Sequence, residues 1–328
     1  MKILFIGGTG VISSGCVQEA VKQGLDITLL TRGQAKRSIQ DGVRSLQGDI
    51  RDLTLMKQLL DQETFDVVVD WVAFTPDQIE ADLHLFEGKV AQFIFISSAS
   101  AYQKPIQQLP ITENTPLSNP YMAYSRNKIA CEQRLLEAYQ QTGFPITIVR
   151  PSHTYDRTAW PMYGGYTIVD RIRKGKTVVV HGDGTSLWTL THHRDFAKGF
   201  IGLLGRPEAI GEAYHITSDE LLSWNHIFTL IGKAVDATPN IVHLPSDLIA
   251  TYDARWGESL LGDKAHSVIF DNSKIKALVP DFQANIPFAE GVQEMVAYYD
   301  ENPAYQLVDE SLNDLLDRMT TNYPVANV

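Results

Sequence analysis

The chain opens on an apolar run, residues 2–6, that ends directly in Gly7-Gly8-Thr9-Gly10. A helix-period segment then starts at once, with Ile12, Cys16, Val17, Ala20 and Val21 recurring on one face. A strand that turns through glycines straight into a helix is the start of a β-α-β unit, and such units pack into a parallel sheet covered by helices on both faces. The rhythm continues. Runs at 26–30, 43–46, 65–70, 92–97 and 146–149 read as strands, and Leu53, Met56, Leu59 and Leu60 recur at helical spacing between two of them. The expected class is α/β, with a doubly wound parallel sheet over residues 1–152.

After Pro151 the pattern is less regular. A Gly/Tyr/Pro-rich loop at 160–166, a strand at 177–181 and a Gly-Asp-Gly turn lead into mixed helices and short strands. Residues 153–328 are therefore expected to form a smaller mixed α/β substrate lobe, free to send elements back to the main sheet. Leu307, Leu312, Leu315, Leu316 and Met319, set among acidic residues, predict an added amphipathic helix near the end. With 328 residues, 44% of them hydrophobic, the chain can bury a large core without covalent staples.

Several function classes are disfavoured. The 28 basic residues against 39 acidic ones give a net charge of −11, a field that repels a phosphate backbone, so no nucleic acid is expected. The longest charge-free stretch, residues 90–103, falls short of the roughly 18–20 apolar residues of a membrane span, and the residues after Lys2 are too few for a secretory segment. A cytoplasmic location is expected. Cys16 and Cys131 each sit in a helix-like pattern and read as buried thiols. His192 and His193 are adjacent, are expected to point apart, and have no carboxylate at ligand spacing, so no metal is expected.

The glycine turn suits a dinucleotide pyrophosphate. Glycines permit close backbone approach, and the helix N-terminus supplies free N–H groups and the positive end of its dipole. Gly7, Thr9, Gly10, Val11 and Ile12 are the expected contacts, with Ser13 where the third glycine of such turns stands. In sheets of this Rossmann type that bind NAD, the second strand ends in a carboxylate; here it ends in Thr31-Arg32-Gly33. Arg32, with Lys36 and Arg37 behind it, suits a 2′-phosphate, which makes NADP the expected cofactor and NAD the alternative. Asp49, followed by Ile50, is placed to accept from an adenine amino group or to cap the next helix, though Asp52 is the better cap.

Tyr124 and Lys128 in Tyr-Ser-Arg-Asn-Lys are four apart and share one helix face, where an ammonium could stabilise the phenolate. About 26 residues earlier the fifth strand ends in Ser97-Ser98-Ala99-Ser100, at the sheet edge where ligands bind. Taken together, the GGTG turn, GDIRD, the Ser-Ser strand end followed by Tyr102, YSRNK and a late HHRD resemble the extended short-chain dehydrogenase/reductases of the NAD-dependent epimerase/dehydratase family, over roughly residues 1–300. The resemblance implies hydride transfer between a carbinol carbon and nicotinamide at a sugar-like substrate, with Ser98, Tyr124 and Lys128 as the catalytic set. It also implies a homodimer through the Tyr–Lys helix and the one before it, where Ile79, Leu83 and Phe86 form an apolar line.

Departures narrow the substrate. Ala99-Ser100 replaces the Asp-Glu of the sugar-nucleotide dehydratases, Trp188 stands where an arginine contacts a diphosphate, and His153 replaces an asparagine that contacts substrate. His153 reads as a second proton-transfer group or as a polar pocket wall. Some chloroplast RNA-binding proteins resemble the same atypical branch, so RNA binding, or NADPH sensing without turnover, is the alternative function.

Overall fold

The computed structural model describes residues 1–34, 37 and 39–323, so Lys36 lies outside the described residues. β1 (Lys2–Ile6), β2 (Asp26–Thr31), β3 (Arg44–Gln47), β4 (Val67–Asp70), β5 (Gln92–Ile96) and β6 (Ile146–Pro151) form where the alternating runs lie, shifted by one or two residues at their ends. Alternate residues divide between the two faces. Ile3, Phe5, Val67, Val69, Ile94 and Ile96 pack on one side against Cys16, Val17 and Ala20 of α1 (Val11–Lys22). Leu4, Ile6, Val68, Phe93 and Phe95 pack on the other. Their partners there are Met56 of α2 (Leu53–Leu60), Ile79, Leu83 and Phe86 of α3 (Pro76–Phe86), and Cys131, Leu135 and Ala138 of α4 (Ala123–Thr142).

One expectation changes here. The apolar line Ile79, Leu83 and Phe86 is buried in the core of a single chain, at 0%, 6% and 3% exposure, and so is not free to pair two subunits. Cys16 and Cys131 are buried free thiols, as expected.

Beyond β6 the chain runs through β7 (His153–Tyr155), the helix α5 (Tyr166–Arg173), β8 (Thr177–His181), β9 (Leu187–Trp188), β10 (Leu190–His192) and α6 (His193–Ile201). β11 (Ala213–Ile216) then returns to the main sheet beside β6. The result is a seven-stranded, all-parallel sheet in the order β11-β6-β5-β4-β1-β2-β3. β12 (Leu222–Ser223) pairs with β9, β13 (Asn240–Leu244) with β8, and β10 with β7, and a separate aromatic-rich core gathers beneath these short ladders. The terminal helix spans Glu310–Asn322. Leu312, Leu315, Leu316 and Met319 form its buried face, whereas Leu307 precedes it and is 74% exposed, because the helix starts only at the Asp309 cap.

The rings of His192 and His193 do not point apart. Their centroids are 4.8 Å from each other at the strand-to-helix junction, where His192 Nδ1 caps α6 by accepting from the Arg194 N–H. No group of three potential metal ligands occurs among the described residues, and none of their helices is long and apolar enough to cross a membrane.

Candidate active site

Gly7 and Gly8 adopt φ of +100° and +107°, and a Cβ on Gly8 would lie 2.7 Å from Leu29 Cδ2, so the turn can be made only by residues without side chains. Gly10 caps α1, and its N–H donates to Ser13 Oγ at 2.9 Å. Ser13 thus ties up one donor of the turn and leaves the N–H groups of Val11 and Ile12, which have no carbonyl one turn earlier to bond. The close helix approach lies instead at Gly15, where a Cβ would sit 2.9 Å from the backbone oxygen of His193 on α6.

A cavity of about 470 Å³ runs from residues 7–13 along Trp71, Val72 and Phe74 to Ser98, Tyr124 and Lys128. β5 ends at Ile96, so Ser97 and Ser98 lie just beyond its carboxyl edge. Ser98 caps the short turn Ala99–Ala101, and its Oγ is 2.9 Å from Ser100 Oγ, which in turn lies 2.7 Å from Ser125 Oγ. Tyr124 is in the first turn of α4 and is 40% exposed. Burial of its hydroxyl raises the phenol above its ordinary value; a hydrogen bond with Ser98 opposes this, and the Asp263 charge adds to it.

Lys128 is one turn further on and fully enclosed. Its Nζ donates to the carbonyls of Ala73 (2.6 Å) and Ile96 (2.7 Å). Burial lowers the ammonium to about 8, with the nearby Asp70 foremost in acting against the fall, so it remains a cation at neutral pH. Lys128 Nζ lies over the Tyr124 ring, 5.9 Å from its centroid, and spends two hydrogen bonds on backbone; burial of the phenol, not this neighbour, dominates, so the phenol is raised rather than lowered as the i,i+4 spacing suggested.

Under this floor lies a network that the sequence did not reveal. Glu132, at 0% exposure, accepts from Ser97 Oγ and from Arg150, whose Nη2 is 2.6 Å from Glu132 Oε2. Arg150 also reaches the Tyr102 hydroxyl, which is 3.0 Å from His215 Nδ1. Lys104 is 3% exposed, pairs with Asp263 at 3.5 Å, and makes no hydrogen bond through Nζ among the described residues.

The remaining candidates lie apart from the cavity. Arg32 is exposed, and its guanidinium makes no hydrogen bond or ion pair among the described residues. Arg37 folds over α1 instead: Nη1 contacts Ser14 Oγ (2.8 Å) and pairs with the buried Asp156 (2.6 Å). Asp49 accepts from the Arg51 N–H at 3.0 Å, Ile50 is buried in the core, and the helix cap is Asp52, which accepts from the Leu55 N–H at 3.0 Å. His153 packs edge-on to Trp188 at 6.1 Å; burial and the Lys264 charge push it down to about 3, so it is neutral at physiological pH. Trp188 is 2% exposed, with Nε1 unpartnered among the described residues.

Residues 3–217 match the model of the NAD dependent epimerase/dehydratase family. The chain belongs to that family. Among curated relatives it is 29% identical over 256 residues to the chloroplast stem-loop binding protein of 41 kDa b from Arabidopsis thaliana, covering 74% of this chain and 65% of the relative. It is 32% identical over 169 residues to the UDP-glucose 4-epimerase of Lactobacillus helveticus, covering 46% of this chain and 51% of the relative. The chain thus spans about half to two thirds of those two proteins. Among solved structures, an epimerase from Methanothermobacter thermautotrophicus superposes with a TM-score of 0.75 at 18% identity, covering 93% of each chain. The likeness in fold extends over 93% of the chain, beyond the residues that the family model matches.

Proposed function

We propose that this family member is an NADP-dependent oxidoreductase or epimerase acting at a hydroxyl or ketone carbon of a sugar or nucleotide-sugar-like small molecule, with Ser98, Tyr124 and Lys128 as its acid–base centre. One observation carries the reading. A single cavity is bounded at one end by the glycine turn and at the other by those three side chains.

The residues fit a dinucleotide. Gly7 and Gly8 form a cradle that a Cβ would fill, and the first-turn N–H groups of Val11 and Ile12 suit a diphosphate. A bound nicotinamide supplies the hydride donor or acceptor. Lys128 has one N–H left after Ala73 and Ile96 are served, which suits a ribose hydroxyl. Ser98 is placed to hold the substrate oxygen. Tyr124, with its phenol raised, rests protonated at neutral pH, which suits it to protonate a carbonyl oxygen as it becomes an alkoxide.

NADP is favoured over NAD because β2 ends in Thr31-Arg32 without a carboxylate and Arg32 is free to meet a 2′-phosphate. Arg37 cannot assist while it is paired with Asp156. The elements after residue 152, other than β11, α6 and the segment 275–282, which pack with the main sheet and α1, are proposed as the substrate lobe, in which neutral His153 and Trp188 act as walls rather than as proton carriers.

The test is calorimetric titration with NADPH and NADH, followed by a screen of sugars, nucleotide sugars and small ketones for NADPH oxidation and for epimerisation without net redox change. NADPH binding with turnover on a sugar-like compound is the expected result. Failure of both dinucleotides to bind removes the reading.

A further inference from the structure

β4 ends in Asp70, and residues 71–74 then turn along the wall of the cavity before α3 begins. Four side chains hold this turn by its backbone, Gln78 Oε1 accepting from the Phe74 N–H at 2.6 Å. Asp70 Oδ1 accepts from the N–H groups of Val72 (2.5 Å) and Ala73 (2.8 Å). Arg51 Nη2 donates to the Val72 carbonyl at 3.0 Å, and Lys128 Nζ donates to the Ala73 carbonyl at 2.6 Å. The segment that walls the proposed nucleotide site is therefore fastened on one side to Asp70 and on the other to Lys128.

A second carboxyl lies behind the first. Asp82 projects from α3, both carboxyl groups belong to residues only 1% exposed, and the two are close enough to hydrogen-bond once one of them carries a proton. Asp82 Oδ2 nevertheless finds no donor among the described residues. Two ionised carboxylates in contact and out of water repel each other, and an acceptor without a donor adds a desolvation cost. One proton resolves both problems, because it removes one charge and turns Asp82 into a donor to Asp70. Asp70 is the better anion of the two, since it already accepts from two backbone N–H groups.

We propose that Asp70 and Asp82 hold one proton between them, Asp82 donating to an ionised Asp70, and that this pair positions residues 71–74 on Lys128 and supplies the countercharge for its ammonium. The inference rests on the reading of Lys128 as part of the acid–base centre.

The other groups around Lys128 do not supply that countercharge. On its own helix, Cys131 is held up to about 12 by burial and is neutral, Glu132 is paired with Arg150, and Tyr124 is protonated. From β4 only Asp70 faces it. Around Asp82 the charged neighbours are Asp70 and Arg51, and Arg51 also pairs with Asp49 at 3.7 Å. Burial and the Asp70 charge raise the proton affinity of Asp82 well above the carboxyl range, in keeping with this distribution.

The test titrates Lys128 in the full-length protein by carbon-13 resonance of labelled lysine, the signal being identified by its loss in Lys128→Arg. The wild-type midpoint is expected at about 8. Asp82→Asn replaces a neutral donor by a neutral donor, so the midpoint should stay within about 0.3 of the wild type. Asp70→Asn with Asp82→Asn keeps an acceptor for Val72 and Ala73 but removes the charge, and the midpoint should fall by about 1, a tenfold gain in acidity. A fall in Asp82→Asn as large as in the double variant would mean that the pair is doubly ionised, and an unmoved double variant would mean that Lys128 does not sense it; either overturns the proposal.

Infrared spectroscopy gives an arm that does not need the double variant to fold. A protonated-carboxyl stretch at neutral pH should be present in the wild type and lost in Asp82→Asn, and its absence from the wild type overturns the shared proton. None of these readouts depends on turnover. A Tyr124→Phe protein with full activity would remove the catalytic reading while leaving the Lys128 midpoints in place.

Discussion

Replacing Lys128 by methionine should change how stability depends on pH. Burial lowers the ammonium from 10.5 to about 8, so the unfolded chain keeps this proton to higher pH than the folded one. A cation whose folded-state affinity is depressed costs stability while it is charged, and the cost disappears as pH rises from about 8 towards 10.5, where the unfolded chain binds more protons. At about 1.4 kcal/mol per tenfold change in affinity, the cost is roughly 3 kcal/mol near pH 7, of which roughly 2.5 kcal/mol is recovered by about pH 10.

Lys128→Met has no such titration. It also leaves the carbonyls of Ala73 and Ile96 without their donor, a pH-independent loss of about 1–3 kcal/mol each that offsets the relief of burying no charge. The two proteins should therefore be comparable near neutrality, and the variant should fall behind by a further ~2.5 kcal/mol as pH rises to about 10. Urea unfolding followed by tryptophan fluorescence across that range measures the difference, from which the titrations of Asp82, Cys131 and the tyrosines largely cancel because both proteins carry them. Parallel stability curves would refute the reasoning, because they would mean that Lys128 is not a buried cation whose affinity folding depresses.

Arg32→Ala should weaken NADPH binding by about 1.5–3 kcal/mol, the worth of charged hydrogen bonds, and NADH binding far less; equal loss for both in calorimetry contradicts the 2′-phosphate assignment. Glu132→Gln leaves Arg150 buried without its countercharge and should cost about 3–5 kcal/mol in urea unfolding. A loss under about 1 kcal/mol would show that the ion pair is dispensable to the floor of the site.

The main sheet was legible because its strands are short apolar runs set between turn signals and helix-period segments, a pattern that survives in one dimension. β11 was not legible as a sheet strand: only four residues long, it follows irregular structure, and its partner β6 lies more than 60 residues earlier. Leu307 was misplaced for a related reason, since hydrophobicity marks a face but the Asp309 cap decides where the helix starts.

At the site, the glycine turn and the Tyr124–Lys128 pair could be picked out because their spacing is local, whereas Ser98, 26 residues before Tyr124, came only with the family resemblance. The charge partners could not. Arg37 finds Asp156, Arg150 finds Glu132 and Lys104 finds Asp263 across long separations, and burial, which decides how each charge behaves, has no signature in residue type. The same holds for Lys128. Spacing placed it one turn from Tyr124, but its hydrogen bonds go to two backbone carbonyls that only the fold brings near.

The central claim is that the Tyr124 phenol carries the proton at the end of the nucleotide cavity. Its most direct test is steady-state NADPH oxidation by wild type and Tyr124→Phe on the first substrate the screen yields, with dinucleotide affinity measured in parallel. Turnover should fall at least ~10²-fold, the low end for a positioned acid–base group, while affinity for NADPH stays within about twofold. Undiminished turnover by Tyr124→Phe would contradict the account.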